Sequence, residues 1–431
     1  MFLRWIYSAV FYLAVPLLIY RLFQRAKKNP AYKERIGERF ARYSAPGLSK
    51  SLWIHTVSVG EFIAAQPLIE QLLERHPEIP LVVTTMTPTG SDRVRAALGD
   101  RVSHVYLPYD LPHAINRFLN HFNPCALVIM ETELWPNMIH FTSKRGVPVI
   151  LANARLSEKS AEGYGKLSAL VKPMLSEISR VAAQAKADGE RFVALGLPPA
   201  NLQVTGTVKF DLAVDDQVMA KAKALRNHWG QDRPVFIAAS THEGEDEQVL
   251  EAFKVVRQRL ETALLVLVPR HPERFQAVTE LVANTGWEYA RHSQGGLIDA
   301  QTSVVVGDTM GELLVMLGAA DVAFIGGSLE PVGGHNMLEA LAVGTPAISG
   351  PHVFNFAMVA QLLTDLGVLE TVTTAIGLGE AVLRILEDTD RRTALAAQGL
   401  TVVAENRGAI NRLFELLERY LPPERENANE K

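Results

Sequence analysis

From Ser51 onward the chain alternates short β-branched apolar runs with longer amphipathic stretches, and the runs end in polar loops that open the next helix. A pattern of this kind, with strands apolar on both faces, fits a parallel sheet wrapped by helices. In the first half the strands are expected at 52–57, 81–85, 102–106, 126–130, 147–152 and 180–184, with helices between them such as 61–76. The alternation restarts at 234–240, 263–268, 303–307, 321–326 and 345–349. Lys209 to Asp232 is polar and contains a helical run but no strand, so two sheets are expected to meet near there. A length of 431 residues agrees, because single cores rarely grow past about 250 residues. The expected segments are 1–28 as a membrane anchor with a basic collar, 29–210 as an N-terminal lobe, 211–405 as a C-terminal lobe, and 406–431 as a final helix and tail.

The N-terminus departs from that pattern. Sixteen uncharged residues, WIYSAVFYLAVPLLIY, separate Arg4 from Arg21. As a helix they reach about 24 Å, short of a hydrocarbon core of about 30 Å. Met1 to Leu3 and a snorkelling Arg4 extend that reach, and Trp5, Tyr7 and Tyr20 suit the interfaces, so a short span and an in-plane helix both fit. A secretory signal would continue into a small-residue cleavage site; here Arg21, Arg25, Lys27 and Lys28 follow and are expected to keep the next segment cytoplasmic. A buried core helix is the other reading, and the segment lacks the polar face that a half-buried helix would show.

Residues 1–50 carry ten Lys/Arg against two acids, a balance of +8 that leaves -12 for the rest of a chain whose net charge is -4. A body of that sign does not attract nucleic acid, whereas a basic segment beside an apolar one suits anionic lipid headgroups. Cys125 is the single cysteine, which rules out an intrachain disulfide and a zinc site of several thiolates and points to a reducing compartment. Apolar residues at 48% and charged residues at 21% exclude a disordered or polytopic chain.

In open parallel sheets ligands bind beyond the carboxyl ends of the strands, and the unusual residues of this chain fall there in both halves. Polar loops on one edge of each lobe make a cleft between the lobes the expected site. HTVSVGE (55–61) ends a strand and opens a helix, placing Ser58, Gly60 and Glu61 at its mouth. Glu61 there either takes a proton from an attacking hydroxyl or merely stabilises the helix start, where the dipole would weaken it as a base. METELWPN (130–137) puts Glu131 and Glu133 two apart after an apolar run, so the two carboxylates would point opposite ways if the strand continued. Paired carboxylates also occur in glycoside hydrolysis and metal binding, but nothing else here resembles a carbohydrate-cleaving site. GTVKFD (206–211) offers Lys209, which either balances an anion or is solvated, and PRHPER (269–274) offers Arg270 with a planar fork of donors for phosphate. His242, His271 and His335 are scattered, and HEGED lacks the HExxH spacing, so no metal and no cofactor are expected.

GGSLEPVGGHNMLEALAVGTPAISGP (326–351) is the most informative stretch. Gly326, Gly327, Gly333 and Gly334 would let the backbone approach a ligand, and Asn336 or His335 would cap a helix over about 337–343 whose first turn suits a phosphate. Glu339 could accept from a ribose hydroxyl or answer Asn336 in a capping box. With Gly344, Thr345 and Pro346 the spacing resembles the donor-nucleotide region of two-lobed glycosyltransferases.

Taken in order, HTVSVGE, TTMTPTGS, LPYD, METELWPN, NARLS, GTVKFD, STHEGE, VPRHPERF, GDTMGE and GGSLEPVGGHN resemble the 3-deoxy-D-manno-octulosonic acid (Kdo) transferases of lipopolysaccharide assembly. The resemblance implies two Rossmann-like lobes of the glycosyltransferase B fold with an N-terminal anchor helix, CMP-Kdo as donor, a lipid A precursor such as lipid IVA as acceptor, inversion at the anomeric carbon, and two Kdo units added in succession. It implies Glu61 as general base, Glu131 and Lys209 as stabilisers of the transition state, and Pro269, Arg270, Met310, Gly311, Glu312, Asn336, Met337, Leu338 and Glu339 as CMP contacts. It further implies attachment to anionic lipids of the inner membrane with the catalytic body on the cytoplasmic side. A nucleotide-sugar epimerase of the same fold is the alternative enzyme, and a non-catalytic membrane scaffold would leave the strand-end acids unexplained.

Overall fold

A computed structural model describes residues 2–44, 46–212, 214–295 and 298–422. Met1, offered above as an extension of the anchor, and residues 423–431 of the expected tail lie outside the described residues.

The first sheet holds β1 (Ser51–His55), β2 (Leu81–Thr85), β3 (Ser103–Tyr106), β4 (Pro124–Met130), β5 (Val149–Ala154), β6 (Arg180–Ala183) and β7 (Leu202–Val204), in the order β3-β2-β1-β4-β5-β6-β7. The second holds β8 (Val235–Thr241), β9 (Leu264–Pro269), β10 (Tyr289–Arg291), β11 (Val304–Val306), β12 (Val322–Ile325), β13 (Ala347–Ser349) and β14 (Leu369–Thr371), in the order β10-β11-β9-β8-β12-β13-β14. All pairings are parallel. The eleven expected strands are present. β7, β10 and β14 are additional; each is three residues long, lies at a sheet edge and includes a polar residue (Gln203, Arg291, Glu370), too little sequence for a period to register.

Pleating sends alternate residues of a strand to opposite faces. In β1, Trp53 enters one core with Phe118, Phe122 and Leu127, while Leu52 and Ile54 enter the other with Phe62, Leu68 and Phe414. The Trp53 ring lies tilted with its centroid 4.2 Å from that of Phe118, and its indole N–H donates to Thr84 Oγ1 at 2.9 Å, which satisfies the side-chain polar group that its burial would strand. Phe236, Phe253, Leu265, Phe324 and Leu378 share a core in the second sheet's unit.

The chain forms two compact units, Leu212–Asn406 and a first unit that combines the preceding chain with the segment from Arg407. That returning segment carries the helix Ala409–Glu418, whose Leu413, Phe414 and Leu417 complete a core of the first sheet. The Asp211 carboxylate accepts from the Gly408 and Ile410 N–H groups, so the residue at which the chain leaves the first unit caps the helix that brings it back.

At the N-terminus lies α1 (Phe2–Lys28), the one helix among the described residues that is long and apolar enough to cross a membrane.

Candidate active site

The strand order reverses between β1 and β4 in the first unit and between β8 and β12 in the second. Loops after such neighbours diverge and leave a crevice, which is where ligands of open parallel sheets sit. The loops at these points are SVGE and ETELW in the first unit, and THEGE and the glycine-rich 326–336 in the second.

α2 (Val59–Arg75) starts directly after β1, with Ser58 at its N-cap and Glu61 three residues on. Glu61 Oε2 accepts from Val57 N–H at 2.6 Å, a fold-back toward the helix start; Oε1 has only a long contact, 3.5 Å, to Ser58 Oγ. Burial pushes this carboxyl up to about 7, with the negative charges of Glu131 and Glu133 adding to the rise and the two hydrogen bonds opposing it. Helix stabilisation and a base poised near neutrality therefore coexist in one residue. A carboxyl titrating near 7 is half ionised at neutral pH, matched to accepting a proton.

β4 ends at Met130, and Glu131 adopts a left-handed conformation with φ 57°. On the adjacent β5, Asn153 does the same with φ 52°. Two non-glycine residues held there side by side mark a local cost of about 1–2 kcal/mol each. Thr132 bridges the two loops: its hydroxyl donates to the Arg155 carbonyl and accepts from Arg155 N–H at 3.2 Å. Glu131 acts electrostatically on both Glu61 and Lys209, so the structure brings the three expected catalytic residues into one charged group. Burial lowers the Lys209 ammonium from its usual range, Glu131 opposes that shift and Arg155 adds to it. Glu133 turns aside to accept from Trp135 Nε1 at 3.0 Å, and its carboxyl is raised by burial and by Glu131.

In the second unit β9 ends at Pro269, which is buried in the strand, and Arg270 follows with an exposed side chain. Arg270 lies close enough to His335 and Glu339 to depress the first and oppose the rise of the second, so Arg270, Asn336 and Glu339 form a second group. Burial raises Glu339, and it pushes His335 down to about 4. The His242 and His335 rings stack at 5.0 Å and share an Nε2–Nε2 hydrogen bond of 2.8 Å.

Several expectations need correction. The helix after Asn336 spans Leu338–Ala342, five residues rather than seven, because Gly344 at φ 79° ends it in a left-handed turn. So short a helix carries little dipole, and any anion there would rely on individual N–H groups. Met337 and Leu338 are wholly buried, at 0% exposure, so neither presents a surface to a ligand. Gly326 meets backbone: a Cβ there would stand 2.6 Å from the Ser240 carbonyl oxygen, so this glycine lets β8 and β12 close on each other. Met310 (61% exposed), Gly311 (φ 84°) and Glu312 occupy the exposed loop after β11, with the Glu312 carboxylate 3.3 Å from His292.

Two residues of this region were not singled out from sequence. Glu245, fully buried, accepts four backbone N–H bonds: His242 (2.9 Å) and Gly327 (2.6 Å) on Oε2, Ser328 and Leu329 (2.9 Å each) on Oε1. It pins the glycine-rich loop to the end of β8. Its signal was an acid after the first strand of a sheet, the same place that Glu61 occupies. Asn153 accepts from Val208 N–H at 3.2 Å, beside Lys209, and its buried Nδ2 has no hydrogen-bond partner. Nothing in NARLS distinguishes that asparagine from a turn residue.

A family model described as 3-deoxy-D-manno-octulosonic-acid transferase (kdotransferase) matches residues 34–212. The 3-deoxy-D-manno-octulosonic acid transferase of Haemophilus influenzae is 44% identical over 97% of this chain and 99% of its own. The chain belongs to the Kdo transferase family. Its activity is accordingly glycosyl transfer in lipopolysaccharide biosynthesis, and the resemblance read from ten motifs holds. Among solved structures, a putative UDP-N-acetylglucosamine 2-epimerase from Listeria monocytogenes matches at TM-score 0.54 and 16% identity, covering 86% of this chain and 97% of that one. The glycotransferase of kitacinnamycin matches at TM-score 0.54 and 14% identity, over 87% and 100%. At those identities they establish the glycosyltransferase B type of fold alone. For a Kdo transferase, the apolar α1 fits a membrane-associated protein.

Proposed function

We propose that this Kdo transferase is an inverting enzyme that moves Kdo from CMP-Kdo to a lipid A precursor, lipid IVA, twice in succession, at the cytoplasmic side of the inner membrane. The observation that carries the reading is Glu61, a carboxyl titrating near 7 at the strand-order reversal of its sheet, with one oxygen tied to backbone and the other nearly unengaged. In this scheme Glu61 takes the proton of the acceptor hydroxyl, whose oxygen bonds to the anomeric carbon as the bond from that carbon to the CMP phosphate oxygen breaks. CMP leaves with the bonding pair. Positive character grows on the sugar and negative charge on phosphate in the transition state, so Glu131 would face the first and Lys209 would balance the charge around it. On the second unit, Arg270 and the N–H groups around Asn336 would receive CMP, Glu339 a ribose hydroxyl, and Met310 to Glu312 and the Pro269 backbone would border the nucleotide.

The test is mass spectrometry of a tetraacylated lipid A precursor after incubation with CMP-Kdo. Two added Kdo masses are expected. One mass alone would refute successive transfer, and turnover of a nucleotide sugar in the absence of any acceptor would favour epimerase chemistry instead.

A further inference from the structure

α1 carries two stripes with different partners. Positions 4, 8, 11, 15, 18, 22 and 26 recur at three- and four-residue spacing and turn toward the first unit: Arg4, Ser8, Leu22 and Ala26 are buried, and Phe11, Val15 and Leu18 pack on its core. Polar bonds fix the N-terminal end of this seam. Arg4 donates to Asn137 Oδ1 at 2.9 Å, Asn137 Nδ2 donates to Ser8 Oγ at 3.0 Å and to the Asp110 carbonyl at 2.7 Å, and the buried Asp110 carboxylate accepts from Asn137 and Met138 N–H at 2.9 and 2.7 Å. From Arg4 to Leu18 the seam on the unit runs about 21 Å, and buried Leu22 and Ala26 continue the stripe toward the turn Pro30–Lys33 that follows α1. A helix laid lengthwise on the unit in this way cannot cross a bilayer without abandoning the seam, and Arg4 would then be left among acyl chains without Asn137.

The opposite stripe is apolar and uncovered: Trp5, Val10, Leu13, Leu17 and Tyr20 are 52–82% exposed. Exposed Arg21, Arg25 and Lys27 continue from its C-terminal end, and exposed Lys33 follows. A long apolar face ending in cations complements one surface, an anionic leaflet, with aromatic and aliphatic groups at the acyl boundary and cations at the headgroups.

We propose that α1 does not span the membrane but is clamped lengthwise to the first unit and enters one leaflet sideways. The N-terminus then lies on the same side as the catalytic body, and the unit that carries Glu61 rests directly on the lipid surface. This deepens the membrane reading above and rests on it.

The experiment uses the full chain in a Cys125→Ser background with a cysteine-bearing tag ahead of Met1, in inside-out and right-side-out inner-membrane vesicles, labelled with an impermeant maleimide. Labelling of the tag from the face on which the body is protease-accessible is expected. Labelling only from the opposite face would overturn the in-plane arrangement while leaving membrane attachment intact, whereas failure of the protein to float with vesicles of phosphatidylethanolamine and phosphatidylglycerol would remove both. As a second measurement, Leu13→Gln with Leu17→Gln should weaken partition into those vesicles by at least about tenfold at unchanged thermal stability. Unchanged partition would show that the exposed stripe does not meet lipid.

Discussion

Glu61 and Glu245 stand in corresponding places, each a few residues after the first strand of its sheet and beside the point where strand order reverses. They have opposite fates. Glu245 is sealed in and meets four backbone N–H groups, so both oxygens are committed to holding the glycine-rich loop. Glu61 is half-buried and meets one N–H and one long hydroxyl contact from Ser58, with the carboxylates of Glu131 and Glu133 nearby. Donor count and burial, not residue type, make one carboxylate a structural pin and leave the other able to accept a proton.

Exchanging either residue tests the contrast. Glu61→Gln keeps the size and the fold-back to Val57 but removes the proton acceptor, so kcat should fall by about 10²–10⁴-fold while CMP affinity stays within about twofold. Single-turnover transfer with CMP titration measures both, and turnover near wild type would take the base role from Glu61. Glu245→Gln places an amide donor against backbone donors. It should cost about 2–4 kcal/mol in the second unit and weaken CMP binding in proportion, read by calorimetry and denaturant melts. A loop that tolerates it would mean that the four bonds do not hold the turn.

Arg270→Ala comes next, with an expected loss in CMP affinity of about tenfold and no change in the pH profile of transfer. A shift of that profile would instead tie Arg270 to the ionisation of the base.

Glu61's titration supplies a smaller test. As the proposed base Glu61 would be active when ionised, so kcat/KM should rise with pH through about 7 and level off above it. Glu133→Gln removes one of the negative charges that hold the Glu61 carboxyl up. Ionised Glu61 becomes easier to form, and the acid limb should move down by less than about one pH unit, because burial rather than charge is the larger cause. An unmoved or raised limb would contradict the coupling. Met310→Ala should change CMP affinity least, by about threefold or less, since its side chain is mostly exposed and contributes a rim contact at most.

The periodicity of the chain determined much of this. Eleven of the fourteen strands among the described residues were legible because each contains a short apolar or β-branched run followed by a polar loop, and the strand-end position of Glu61, Glu131 and Arg270 followed from that alone. Where the signal was three residues at a sheet edge, as in β7, β10 and β14, the sequence had nothing periodic to display.

Only tertiary structure decided how those residues are used. The left-handed turn at Glu131, the four donors on Glu245 and the joint charge of Glu61, Glu131 and Lys209 arise from segments far apart in the chain. The same holds for α1. Its composition is that of a membrane helix on every side, but burial of Arg4 and Ser8 against Asn137, more than a hundred residues away, assigns one stripe to protein. Local sequence sets which elements form, because period and propensity act over a few residues. Burial, donor count and neighbouring charge are properties of a folded surrounding and come into being only with it.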